Sequence, residues 1–171
     1  MLTRPGASFE LARQVQIGAA TLGDVFAFCS GLYFRGKLTY SRHFAAPSAV
    51  LIITPSRGLL PAETTVGTRD LAEFAGVPVD SAEPRFTGPL AATALALAGL
   101  SDSEIILLGS VATGKYLDTL RPIFGDRLLF PAEFASRGDM SRGALLLRAV
   151  LAGQELRYVP VPPLANKRLR S

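Results

Sequence analysis

The chain has 171 residues, 49% of them hydrophobic and 19% charged, a length that suits one domain and a balance that excludes a disordered chain. Its single cysteine, Cys29, excludes an intramolecular disulfide, and with a single histidine no His/Cys zinc site can be built, so no transition metal is expected. The formal net charge is +4, a modest excess that leaves contact with phosphate open.

Residues 1–10 hold no apolar signal core, and the longest weakly polar run, 89–100, is far shorter than the ~20 residues of a membrane span. A cytoplasmic protein with no membrane partner is the expectation. Residues 9–17 are ambiguous, an edge strand being one reading. Thr21 is placed to cap a helix through about Ser30, and Cys29, within its apolar run, reads as a buried thiol. Residues 34–45 form a second helix. The run Ala49-Val50-Leu51-Ile52-Ile53-Thr54 is short, apolar and rich in β-branched residues, the pattern of a strand buried on both faces. Thr68 is expected to cap a helix to Ala75, with Gly76 beyond it. Residues 89–100 are a helix, 104–108 a strand, 112–120 a helix, and 127–130 a strand. Residues 141–152 are a helix closed by Gly153, and 156–161 a last strand.

Strands thus alternate with helices. The expected fold is a single α/β domain over residues 1–171, with its ordered core at about 9–161 and a basic tail at 162–171. A three-layer sandwich around a mostly parallel sheet of about four strands fits that order.

Ligands of open parallel sheets bind beyond the carboxyl ends of the strands. Three polar, glycine-bearing segments follow strands here. The first carries Ser56 and Arg57. The second, Gly109-Ser110-Val111-Ala112-Thr113-Gly114-Lys115, has the GxxxxGK spacing of a phosphate loop. Tyr116 stands where such a loop needs a magnesium-holding Ser or Thr, so a general anion cradle is the alternative, and a plain turn the simplest reading. The third holds Glu133, Arg137, Asp139 and Arg142, with Glu133 and Asp139 the candidate acids or bases. Asp139 is equally placed to cap the helix at Ser141. Residues 33–43 form a further constellation: Tyr33, Lys37 and Tyr40 share one helix face, and Arg35 and Arg42 another. Such a face can stack a base and hold a phosphate. The lone His43 reads as a surface or capping residue.

Gly31-Leu32-Tyr33-Phe34-Arg35-Gly36-Lys37-Leu38-Thr39-Tyr40 is similar to a segment of a family of small uncharacterised bacterial proteins. So is Leu129-Phe130-Pro131-Ala132-Glu133-Phe134, running on to Arg137-Gly138-Asp139-Met140-Ser141-Arg142-Gly143. The likeness spans roughly residues 20 to 160 and brings no activity with it. Leu51 to Pro61 and Ile105 to Ala112 more distantly resemble turns of uracil-DNA-glycosylase-like α/β domains. That resemblance implies a three-layer sandwich and a nucleobase pocket. No catalytic motif of that superfamily maps onto this chain.

Three functions follow as expectations. In the first, the protein binds or acts on a small phosphorylated or nucleobase-containing ligand at the C-terminal edge of the sheet. In the second, it is a nucleic-acid-binding module that uses the 33–42 helix and the tail with Lys167, Arg168 and Arg170. In the third, it is a non-catalytic interaction protein, with a homo-oligomer as one form.

Overall fold

The computed structural model describes residues 1–4 and 6–162; the basic tail, apart from Pro162, lies outside the described residues. The ambiguous segment 9–17 is helix α1, Glu10–Gln16, and not an edge strand. Its two buried residues, Ala12 and Val15, stand three apart, the helical spacing that a strand cannot bury on one face. Glu10 accepts from Arg13 and Gln14 along the exposed face.

Strand β1, Ala20–Thr21, leads directly into α2, Leu22–Phe44. The Thr21 hydroxyl accepts the Asp24 N–H at 3.2 Å, the expected cap. Gly31 leaves the helical region with φ 76° and ψ −165°, so α2 is two helices, as its sequence suggests. In one straight helix residues 24 and 42 would lie about 27 Å apart. Here Arg42 reaches the Asp24 carboxylate at 3.2 Å, and the Phe26 and Phe34 rings are 5.8 Å apart. The halves 22–30 and 32–44 therefore fold back as a helical hairpin. The positive φ at its tip favours glycine. This hairpin also corrects the reading of Cys29. The first half buries Leu22, Gly23 and Val25, and Cys29 is turned outward and exposed.

Strand β2, Leu51–Thr54, pairs antiparallel with β3, Gly58–Pro61, in the register Thr54 to Gly58. The segment expected to be a ligand loop is thus mostly a tight hairpin turn. Thr54 is fully buried; its hydroxyl donates to the Gly58 carbonyl at 2.8 Å and accepts the Arg57 N–H at 3.1 Å. Gly58 has φ +65° and lies against the Pro89 carbonyl and the Thr93 hydroxyl, where a Cβ would overlap both. Strand β4, Thr65–Val66, pairs with β1. Helix α3, Thr68–Ala75, is capped by Gly67 instead of Thr68: the Asp70 carboxylate accepts the Gly67 N–H at 2.7 Å.

Helix α4, Pro84–Leu100, starts five residues before the expected point, with Glu83 as N-cap and Pro84 in its first turn, where a missing N–H costs nothing. Strand β5 is only Ile105–Ile106, and α5, Gly114–Phe124, runs through Pro122 to Gly125 at φ 55°. Strand β6, Leu128–Pro131, is buried along its whole length. Helix α6, Asp139–Ala152, ends at left-handed Gly153, and β7, Tyr158–Pro160, closes the described chain.

The molecule is mixed α/β, but no central four-stranded parallel sheet is present among the described residues. The strands form three small sheets, β1-β4, β2-β3 and β5-β6-β7. Of these pairings only β5–β6 is parallel; β6–β7 is antiparallel. Apolar runs report burial and leave the direction of the neighbouring strand open. Two cores result. One gathers Phe86, Leu90, Leu128, Phe130, Phe134 and Leu146 around β6. The other gathers Val15, Leu22, Val25, Ile52 and Phe74 under α1 to α3. The second half of α2 joins them, sending Leu38 into one and Tyr40 into the other. No helix among the described residues is long and apolar enough to cross a membrane.

Candidate functional site

The site is built where the second half of α2 crosses α6, above the carboxyl ends of β5 and β6. Two glycines permit the crossing. A Cβ on Gly36 would sit 2.9 Å from the Gly143 carbonyl oxygen, and one on Gly143 would sit 3.2 Å from the Tyr33 Cα. The helices meet backbone to backbone, which places Tyr33 and Lys37 beside the segment that follows β6.

Tyr33 donates its hydroxyl to the Leu108 carbonyl at 2.9 Å and meets Phe134 edge-on at 6.3 Å. Burial raises its phenol pKa, and the Arg142 guanidinium opposes that rise. The Lys37 ammonium lies 4.4 Å from the centre of the Tyr33 ring and 5.2 Å from that of Phe34. Burial lowers its pKa, and Asp139 opposes the change. Among the described residues Lys37 has neither an ion pair nor a side-chain hydrogen bond.

Arg142 is the most enclosed cation of the group, its side chain 12% exposed. Its Nη2 donates to the Phe134 carbonyl at 3.2 Å, its Nη1 lies 3.7 Å from Asp139, and its plane lies over the Phe134 ring at 5.5 Å. Its Nε is buried without a partner, and so is Oε2 of Glu133. Native interiors rarely leave a donor and an acceptor unmatched, and each such atom costs about 1–3 kcal/mol. Glu133 stands on the 3-10 turn Ala132–Phe134 and Asp139 opens α6 with Gly138 as N-cap. Asp139 is therefore the first residue of the helix and not its cap. Arg137 donates to the Ser141 hydroxyl at 3.1 Å.

The structure thus brings Tyr33, Lys37, Asp139 and Arg142 to one region, with the β5 loop touching it through Leu108 and Arg137 bonding back to the Phe134 carbonyl at its exposed rim; Glu133 stands beside Phe134 in the chain, and its carboxylate acts on Tyr40. The rest of the β5 loop is differently occupied. The Tyr116 ring packs on Gly109, where a Cβ would be 3.2 Å from it, and burial raises its phenol pKa. Asp118 lies over Gly114 at the start of α5 and sets a negative charge where a phosphate would approach. Thr113 is the N-cap of α5 without a side-chain bond, Ser110 accepts the Ala112 N–H, and Lys115 extends over the Tyr116 ring at 5.8 Å. In the sequence, Tyr116 stands where a phosphate loop would need a magnesium-holding Ser or Thr. Its bulk beside two glycines is the signal that the loop fills itself.

Ser56 and Arg57 lie elsewhere, committed to α3. Arg57 pairs with Asp70 at 2.8 Å and with Glu73, and Ser56 donates to Glu73. Tyr40 is a core residue, 2% exposed: its hydroxyl donates to that of Tyr158 at 2.6 Å, Tyr158 donating its own proton to Glu155, and accepts the Leu156 N–H at 2.9 Å. Arg35 is exposed on the far side with Leu11, Asp24 and Phe28. His43 is exposed, edge-on to Phe44. No group of three or more potential metal ligands gathers among the described residues.

Comparison with protein-family models, with curated proteins and with solved structures gave no match.

Proposed function

We propose that the protein binds or acts on a small phosphorylated or nucleobase-containing molecule at the C-terminal edge of the β5–β6 pair. One observation carries this reading: the Nε of Arg142 and the Oε2 of Glu133 are both buried and both unmatched. A ligand with an anionic or carbonyl oxygen would satisfy the guanidinium. A ring N–H, such as a nucleobase presents, would satisfy the carboxylate. Arg137 adds charge for a phosphate, Tyr33 an aromatic edge, and Asp139 a partly solvated acid or base.

A thermal-shift screen with nucleotides, nucleobases, sugar phosphates and short oligonucleotides tests it. A ligand at a hundred times its Kd adds about 2.7 kcal/mol. The expected result is a shift with one small-molecule class that is lost in Arg142→Met and reduced in Glu133→Gln. A shift with oligonucleotides alone, vanishing at high salt, would replace this reading with a nucleic-acid-binding module.

A second reading, an interaction protein, draws on a different surface. Phe9 and Phe28 stack at 5.5 Å while 41% and 48% exposed, an arrangement a partner would cover. If that reading holds, Phe28→Ser changes the mass in solution; an unaltered monomeric mass removes self-association.

A further inference from the structure

The chain has three lysines, Lys37, Lys115 and Lys167, beside fifteen arginines. Arginine supplies the ion pairs seen in this structure: Arg13, Arg42, Arg57, Arg85, Arg121, Arg127 and Arg142 each face a carboxylate. Lys37 makes no such pair among the described residues. Its amine is partly buried, held over the rings of Tyr33 and Phe34, and Arg142, whose Nε is unmatched, acts on the same Tyr33. An arginine there would carry its charge under all conditions. A lysine is the one cation that can shed its proton and become a nucleophile.

We propose that Lys37 is a reactive amine that condenses with the aldehyde or ketone carbonyl of a phosphorylated ligand. The inference deepens the reading of the site above and rests on it for the phosphate. The neutral amine nitrogen attacks the carbonyl carbon, and the carbonyl π pair moves to oxygen and takes a proton. The carbinolamine then loses its hydroxyl as water, giving a C=N bond to Nζ. Amine and carbonyl therefore give imine and water, with no oxidant or reductant. The charged and titratable groups facing Lys37 are Asp139 from the first turn of α6 and Tyr33 from its own helix, with Arg142 behind Tyr33. The proton that the departing water needs comes from solvent, which reaches this end of the site at the exposed Asp139. Burial lowers the amine pKa and so enlarges the neutral fraction near pH 7, by about tenfold for each unit of lowering.

The experiment treats the full chain with pyridoxal 5′-phosphate and, in parallel, with pyridoxal. Borohydride then fixes the imine, and peptide mass spectrometry reads the three lysines and the α-amino group. The expected result is faster labelling of Lys37 than of Lys115. Labelling should reach its plateau at lower pH for Lys37, and the phosphate-bearing aldehyde should react faster there. Lys37→Arg should abolish this fraction and Lys115→Arg should leave it. Labelling of Lys37 no faster than Lys115 overturns the proposal, and because it is read on the unaltered chain it stands whether or not the variants fold. Equal rates with both aldehydes, with Lys37 still preferred, support the reactive amine and overturn the phosphate cradle instead.

Discussion

Arg142 buries a guanidinium nitrogen with no acceptor, and Glu133 buries a carboxylate oxygen with no donor. If Arg142 served the fold through a buried ion pair, removing it would cost about 3–5 kcal/mol. Its nearest carboxylate, Asp139, is 3.7 Å away and mostly exposed. Arg142→Met, which keeps the packing over Phe134, is therefore expected to change stability by less than about 1 kcal/mol while abolishing ligand binding. Denaturant melts and the ligand-induced shift, measured on one preparation, separate the two effects. Gly58 gives the opposite case, a residue with no part in binding and a large part in folding. Its φ of +65° and the Pro89 carbonyl behind it leave no room for a Cβ. Gly58→Ala should cost about 2–4 kcal/mol, read as a fall in the urea midpoint. Glu133, Asp139 and Arg142 could be singled out from residue type and position alone. That Arg57 is spent on Asp70 and Glu73 could not, because ion pairing depends on which helix packs beside the turn.

At the scale of elements, the α2–α6 crossing holds the site together. Alanine is ordinarily better than glycine within a helix by about 1 kcal/mol. At Gly36 that preference should reverse, because the added methyl meets the Gly143 carbonyl at 2.9 Å. Gly36→Ala is expected to lower the Tm and to separate Lys37 from Asp139. The second effect is readable as a change in the pH profile of Lys37 labelling. Helix α3 is joined to the β2–β3 turn through charge. The Gly67 N–H, bonded to the Asp70 carboxylate, and the Arg57 guanidinium hold Asp70 below its ordinary pKa of 3.8. A depressed folded pKa contributes stability that is fully present above the unfolded value and is lost as the pH falls through the folded one. Acid titration from pH 5 downward should therefore weaken the wild type below about pH 4. Asp70→Asn should be less stable at neutral pH and should show a smaller loss over that window. The turn after β2 was legible as a turn; its role as a hairpin was not, since Pro55 and Gly58 suit a ligand loop equally well.

Across the whole molecule, the two cores share the second half of α2, with Leu38 on one side and Tyr40 on the other. Coupling of this kind predicts one cooperative transition. Far-ultraviolet dichroism, which follows the helices, and tyrosine absorbance should give coincident melts; the chain has no tryptophan to confuse the second signal. Tyr40→Phe should lower both together by about 1–2 kcal/mol, because the Leu156 N–H and the Tyr158 hydroxyl would lose their partner. Separate transitions would mean that the cores fold independently.

The sequence by itself determined the α/β character, the helices at 68–75 and 141–152 within a residue or two, the break between two helices near residue 31, and the apolar strand at 127–130. Each follows from local physics: backbone limits at glycine and proline, capping, and the spacing of apolar side chains. Tertiary structure decided the rest. It turned the strand run at 49–54 into one arm of a hairpin, left a single parallel pair, and set Tyr40 in the core. It also drew Tyr33 and Lys37 to Asp139 and Arg142 across about a hundred residues. Strand direction and helix crossing depend on surfaces far apart along the chain, and apolar periodicity records only that a face is buried, never what buries it.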